Sequence, residues 1–258
     1  PQVKLIQDLQ DPWSLNPFKN YLFGFQRKAV TRWENEALTI SDCNVFVTYG
    51  LESLMNPAGF NSSVIENGHP FKIIKSNIKS KHSYWIHTGT LANGRDVIAE
   101  PFFNLCIEQP ELLGVDKVIF YGRISLYLLS KYKKLFTSGF FEHRDSIPQI
   151  ELVEIISSAQ VGLQFNALEY PYLVSTKVYE YPALGTPVLS INGGGEIDRL
   201  IQKENIGIST RPDLDSLIDA ISQIKKFDCT NSLVKFGNQS SYRARALEYR
   251  NLIESIAK

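Results

Sequence analysis

The chain has 258 residues, 43% hydrophobic and 21% charged, an ordinary soluble-globular balance with length for one large or two small domains. Lys+Arg and Asp+Glu both number 27, so the formal net charge is zero and the basic excess of a nucleic-acid binder is missing. Cys43, Cys106 and Cys229 are scattered and odd in number, no apolar run approaches the ~18 residues of a membrane span, and no signal peptide opens the chain, so a reducing, cytoplasmic setting is expected.

The chain starts at Pro1 without a methionine and runs into a strand at 3–6, and we expect residues to precede it. A polar loop follows over 7–16. A helix is predicted over 25–40, where Ala29, Trp33, Ala37 and Leu38 approach helical spacing. A strand at 44–48, a short helix at 51–55 and a strand at 62–65 complete what reads as part of an α/β unit. The Lys-, Ser- and Asn-rich segment 72–82 reads as a linker. From residue 84, strands at 84–91, 117–122, 135–141, 161–165, 187–191 and 207–209 alternate with helices. The helices are placed at 97–113, around 126–132, and at 147–159, 176–184 and 196–203. A further helix is capped by Asp213 and carries Leu214, Leu217, Ile218, Ile221 and Ile224. A last helix over 242–257 is expected to pack through Ala246, Tyr249, Leu252, Ile253 and Ile256. Alternation of this kind predicts a parallel sheet with helices on both faces. Ligands of such sheets bind beyond the carboxyl ends of the strands. The loops to watch are therefore 88–95, 122–125, 139–145, 166–177 and 192–196.

The densest motif runs from Ser175, Thr176 and Lys177 through Glu180 and Tyr181 to Gly185, Pro187 and Val188. It places hydroxyls and a cation at a helix N-terminus, whose unpaired N–H groups suit a phosphate. Glu180 lies one turn further on, where a carboxylate can accept two hydrogen bonds from a ribose diol. A capped helix with a surface glutamate is the plain alternative for these residues.

This stretch resembles the donor-site signature of family 4 retaining glycosyltransferases with the GT-B fold, of the bacterial surface-polysaccharide type. Thr88-Gly89-Thr90-Leu91 followed by Gly94-Arg95-Asp96 resembles the glycine loop that opens the donor lobe. Ser138-Gly139-Phe140 and the helix before Ala159-Gln160-Val161-Gly162-Leu163 follow the family's order. Asp8 to Trp13 resembles the acceptor-side loop of some members. The resemblance implies an α/β protein of two Rossmann-like lobes with parallel sheets, the first incomplete here. Residues 1–71 would be that acceptor-side lobe, 72–82 the linker and 83–238 the nucleotide-sugar-binding lobe. Residues 239–258 would form a helix returning to the first lobe.

By position, the resemblance implies that Glu180 binds the ribose. It implies that Lys177 and Arg95 neutralise the diphosphate, with Gly89, Thr90, Ser175 and Thr176 around it. It places Gly139 and Phe140, with Phe141, at the base. The activity implied is transfer of a sugar from a nucleoside-diphosphate sugar, UDP favoured, to a hydroxyl of a glycan or lipid-linked acceptor. No metal or other cofactor is called for, because protein cations and helix dipoles stand in for a divalent ion. A lipid-linked acceptor implies peripheral contact with the inner membrane face, and any basic or aromatic docking surface is expected around 18–32. Many members carry a second glutamate eight positions before the ribose-binding one; here that position is Tyr172, with Glu169 nearby.

Asp8 and Asp11 are the acidic candidates for orienting the acceptor hydroxyl or taking its proton. An ordinary turn explains Asp-Pro-Trp equally. His69, His82, His87 and His143 lack metal-ligand spacing; His87 reads as core or rim, and His143 could reach a nucleotide. Gly193-Gly194-Gly195-Glu196 reads either as a close backbone approach to the donor sugar or as a plain loop. Two other readings stay open: a non-catalytic nucleotide-sugar-binding subunit of a partner enzyme, and a GT-B-type nucleotide-sugar epimerase.

Overall fold

The structure, a computed structural model, describes residues 3–16, 19, 21–72 and 83–257. Its elements in chain order are β1 (Ile6–Leu9), α1 (Gly24–Ile40), β2 (Cys43–Phe46), α2 (Tyr49–Met55), β3 (Ser62–Val64), β4 (Tyr84–Thr88), α3 (Arg95–Glu108), a 3₁₀ turn (Pro110–Leu113), β5 (Lys117–Tyr121), α4 (Leu126–Lys131), α5 (Lys133–Thr137), β6 (Phe141–Arg144), α6 (Gln149–Ser157), β7 (Val161–Phe165), α7 (Lys177–Ala183), β8 (Val188–Ile191), α8 (Glu196–Glu204), β9 (Gly207–Thr210), α9 (Leu214–Ile224), α10 (Thr230–Gln239) and α11 (Tyr242–Ile256). The linker reading falls on residues that, Lys72 apart, lie outside the described ones, as does His82.

The strands form two parallel sheets. One holds three strands in the order β1-β2-β3; the other holds six in the order β6-β5-β4-β7-β8-β9. β4, β7 and β8 are buried along their whole length, which explains why they read as continuous apolar runs rather than alternating ones. Successive side chains of β4 feed opposite layers. Trp85 packs with Phe102, Phe103, Phe120 and Phe141 on one face, while Tyr84 and Ile86 pack with Val178, Tyr181 and Leu200 on the other.

The larger sheet changes direction between β4 and β7. These strands pair only at Trp85–Val161 and Ile86–Gly162, and their ladder stops there. Next along β4, the His87 ring donates from Nδ1 to the Leu163 carbonyl, 2.9 Å away, in place of a backbone bond. A crevice at such a reversal point is where open α/β sheets hold ligands.

The two sheets share an apolar joint. Leu9, Phe46, Val47, Leu51 and Met55 pack with Ala167, Tyr170 and Tyr172 of the loop between β7 and α7. The Thr48 hydroxyl donates to the Tyr172 carbonyl at 2.5 Å. A second seam joins residues 66–71 to the α10–α11 turn. There His69 N–H donates to the Ser240 carbonyl, Tyr242 N–H to the His69 carbonyl, and Arg245 Nε to the Asn67 carbonyl. Both ring nitrogens of buried His69 are satisfied, by the Gly237 carbonyl and the Phe71 N–H, so it is a structural histidine.

Four elements differ from the sequence reading. The strand expected at 135–141 is helix α5 followed by a turn, and β6 begins only at Phe141. Its apolar run buries Leu135 against the sheet from a helix, a distinction that periodicity in a short segment does not make. The helix expected over 97–113 ends at Glu108, and Pro110 opens the separate 3₁₀ turn. The first strand lies at Ile6–Leu9 rather than 3–6, and α10 was not foreseen. In α11 the half-buried side includes Arg245, Glu248, Tyr249 and Leu252, while Ala246 and Ile253 face outward.

Candidate functional site

A cavity of about 300 Å³ opens at the carboxyl ends of β4 and β5, beside the reversal point. It is lined by Thr88, Gly89, Tyr121, Ser146, Ile147, Gln149, Leu152, Thr176, Lys177 and Glu180. Each wall has a local cause. Gly89 (φ +112°) turns the chain out of β4, and its N–H bonds the Tyr121 carbonyl at 2.7 Å. Gly122 (φ +114°) admits the Gly89 backbone so closely that any side chain there would overlap it. The N-terminus of α7 enters from the opposite side. It is anchored by Tyr181, whose hydroxyl meets the Thr88 N–H at 3.0 Å and the Thr88 hydroxyl at 3.1 Å. Gly162 of β7 leaves room for the Tyr181 ring. A larger hollow of about 720 Å³ follows the outer face of α1, but among the described residues a single helix lines it and no polar groups converge from separate elements.

Lys177 and Glu180 give the cavity its charge. The Lys177 side chain lies against Gly89, so that a Cβ at Gly89 would come within 2.7 Å of Lys177 Cε and Nζ. No carboxylate is within ion-pair distance of this ammonium among the described residues. Burial lowers its pKa, the Glu180 charge pulls it back up, and Arg95 adds a further lowering. Burial raises the Glu180 pKa, while Lys177 and the hydrogen bond from Gln149 lower it. That bond runs from Gln149 Nε2 to Glu180 Oε1 at 2.8 Å, across 31 residues. Thr176 stands at the N-cap of α7 without bonding the helix, so its hydroxyl is left for the cavity.

The remaining sequence candidates are distributed unevenly. Arg95 opens α3 at the end of the glycine loop, where its charge acts on Lys177, His87 and Tyr170. Thr90 and Ser175 flank the cavity without lining it. Gly139 and Phe140 do not join it. They precede β6, and Phe140 lines a different, apolar pocket with Cys106 and Leu135. The structure does not bring them to this cavity: the strand starts at Phe141, so they stand at its amino end, and the cavity opens at the carboxyl ends of the neighbouring strands. The residues that line this side are Ser146, Ile147, Gln149 and Leu152 of the next loop and helix, together with Tyr121, and none was singled out from the sequence. Tyr121 is held by Arg144, whose Nη1 donates to its hydroxyl at 2.6 Å.

His87 is buried, and its pKa falls to about 3, first through burial and then through Lys177 and Arg95. It is therefore neutral and structural. His143 Nε2 bonds the Gly122 carbonyl at 2.7 Å. Tyr172 is 9% exposed and packs in the joint between the sheets, its ring 6.1 Å from that of Tyr170. Glu169 is exposed, and its carboxylate lies 3.0 Å from where a Gly94 Cβ would stand, at the start of α3. In the glycine run, Gly195 packs against the Pro171 carbonyl and Gly193 against Leu168, so the run fits the α8 start onto the β7–α7 loop.

On the smaller sheet, Asp8 accepts from Gln10 Nε2 at 2.9 Å and faces the Tyr249 hydroxyl of α11. Asp11 is exposed on the loop after β1 and acts on Tyr170 and Tyr172 across the joint. The sequence reading missed what fixes this loop. Buried Glu34 of α1 accepts from the Trp13 N–H at 2.6 Å, the Ser14 N–H at 3.4 Å and the Ser14 hydroxyl.

No protein-family model matches the chain, and no curated protein matches it in sequence. Its fold does match solved structures. Sucrose-phosphate synthase from Thermosynechococcus elongatus aligns with a TM-score of 0.71 at 15% identity, over 97% of this chain and 67% of that one. HepE from Anabaena, solved with UDP, aligns at 0.68 and 15% identity, over 98% of this chain and 72% of that one. A glycosyltransferase from Rickettsia africae aligns at 0.65 and 13% identity, over 88% and 67%. The chain thus corresponds to about two thirds of the length of these structures. At such identities the likeness shows the fold, which is the parallel α/β architecture of GT-B glycosyltransferases.

Proposed function

We propose that the chain is the nucleotide-sugar-binding part of a metal-independent retaining glycosyltransferase. It would move a hexosyl group from a nucleoside-diphosphate sugar to a hydroxyl of a glycan or lipid-linked acceptor in polysaccharide assembly. The observation that carries this reading is the meeting of Gly89, Thr176, Lys177 and Glu180 around one cavity at the sheet's reversal point. In it, Glu180 accepts hydrogen bonds from the ribose diol. Lys177, Arg95 and the α7 N-terminus neutralise the diphosphate as it departs. The sugar C1–oxygen bond to the diphosphate breaks while the acceptor oxygen bonds C1 on the same face, and the acceptor's proton passes to the departing diphosphate oxygen. Asp11, across the joint, orients that hydroxyl. UDP is favoured as the nucleotide because HepE has been solved with UDP and with UDP-glucose. A cytoplasmic enzyme at the inner membrane face fits exposed Leu22, Phe23 and Phe25 beside Arg27 and Lys28.

A second reading, donor binding without transfer, is favoured by one observation: Tyr172, at the family's usual acidic position, packs into the joint. Turnover separates the two. The test of the shared part is calorimetric titration with UDP, GDP and CDP, with and without EDTA, on the chain and on Glu180→Ala. The reading expects one nucleotide to bind selectively, with EDTA making no difference and Glu180→Ala weakening it. Absence of binding to all three, or equal binding by Glu180→Ala, would sink it. Loss of binding in EDTA would remove metal independence alone.

A further inference from the structure

Glu180 is held by a side chain that the motif around it does not contain. Gln149 is the first residue of α6, on a different element, and its amide donates to Glu180 Oε1 at 2.8 Å. Both residues line the same cavity. Glu180 Oε2 has no hydrogen bond among the described residues, so the carboxylate presents one tethered and one free oxygen. We infer that Gln149 is a positioning residue for the nucleotide: it fixes the Glu180 carboxylate so that the free oxygen addresses the ribose diol. This rests on the reading of the cavity as a nucleoside-diphosphate site.

A glutamate side chain has several rotatable bonds, and an unanchored carboxylate loses that freedom when it binds a diol. A hydrogen bond to a charged acceptor is stronger than one between neutral groups, so the amide restricts the carboxylate before the ligand arrives. The bond also favours the ionised form, which the diol needs as acceptor, against the burial that favours the neutral acid. The other groups near Glu180 are Lys177 and the buried phenol of Tyr181 on α7, with Tyr121 across the cavity on β5. Of these only Lys177 is a cation, and its ammonium rests on Gly89, so Gln149 is the carboxylate's one hydrogen-bonded anchor among the described residues.

The test compares UDP with 2′-deoxy-UDP by calorimetry on the chain, Gln149→Met, Gln149→Glu and Glu180→Gln, from mildly acid to mildly alkaline pH. Gln149 is exposed, and a carboxylate at the first position of a helix suits its dipole, so Gln149→Glu is expected to fold. Gln149→Met should weaken UDP roughly tenfold, and shrink the preference for UDP over the deoxy ligand. Gln149→Glu sets two carboxyls against each other. While they share a proton, the acid O–H replaces the amide donor and UDP binding approaches that of the chain. As pH rises and both ionise, they repel and binding falls, a slope that Gln149→Met does not show. If UDP binds and Glu180→Gln weakens it, but Gln149→Met keeps both the affinity and the deoxy ratio, the inference is overturned while the reading of the cavity stands. If UDP does not bind the chain at all, both fall.

Discussion

Replacing Gly89 with alanine separates backbone strain from the placement of a cation. Gly89 has φ +112°, and an added Cβ would meet Lys177 Cε and Nζ at 2.7 Å. Both atoms belong to the free end of a flexible side chain, so the lysine moves rather than the fold. Restoring ordinary contact requires a shift of about 1 Å. For an ammonium about 4 Å from a phosphate charge at an effective dielectric constant near 20, retreat to about 5 Å loses about 0.8 kcal/mol. Against a group bearing two charges the loss is about 1.6 kcal/mol, roughly fifteenfold in Kd. Alanine also bears the strain of positive φ, about 1–3 kcal/mol of stability. Gly139→Ala supplies the control, because Gly139 has φ +83° and an added Cβ would meet nothing within 4 Å among the described residues. Thermal unfolding should find both variants destabilised by comparable amounts. Calorimetry with UDP should find a roughly fifteenfold loss in Gly89→Ala and little change in Gly139→Ala. Equal affinities in the two would refute the assignment of Lys177 to the diphosphate.

Three further outcomes follow from the same contacts. Glu34→Ala leaves the Trp13 and Ser14 donors without their acceptor, so it should cost about 1–3 kcal/mol in urea unfolding and expose 11–16 to limited proteolysis; unchanged cleavage there would count against the clamp. Tyr172→Phe removes a buried hydroxyl that has no hydrogen-bond partner among the described residues, so stability and UDP affinity should hold or rise; a loss of several-fold in UDP affinity would place Tyr172 in the donor site instead. His87 is neutral in the fold down to about pH 3, whereas its ordinary pKa is 6.5. Below 6.5 the unfolded chain binds a proton that the folded one refuses, so this contribution to stability is intact above that pH and is lost as pH falls, at up to about 1.4 kcal/mol per pH unit. His87→Gln should flatten that acid limb of the urea midpoint against pH, and an unchanged slope would contradict the burial argument.

What could be read from sequence was what lies close along the chain. Thr176, Lys177 and Glu180 fall within five residues, and helical spacing alone aims them at one space. Gly89 joined them because a parallel sheet gathers its carboxyl-end loops on one side. The far wall of the cavity had no such signal. Tyr121, Ser146 and Gln149 come from a strand end, a loop and a helix start that only the strand order brings together. The sequence grouped Gly139 and Phe140 with the site because a strand placed six residues early exchanges its amino end for its carboxyl end, and the structure sets these two apart from the cavity. Glu34 read as one more polar residue on α1, since its partners are backbone groups 20 and 21 residues away. Tyr172 read as a departure from a motif, and its burial in the joint depends on packing between the two sheets.

The most direct test of the account is a crystal structure of the chain soaked with UDP. The diphosphate should lie between Gly89, the start of α7 and the Lys177 ammonium, and the ribose hydroxyls on Glu180 with Gln149 still bonded to it. UDP bound anywhere else, or bound in this cavity with its ribose turned away from Glu180, would contradict it.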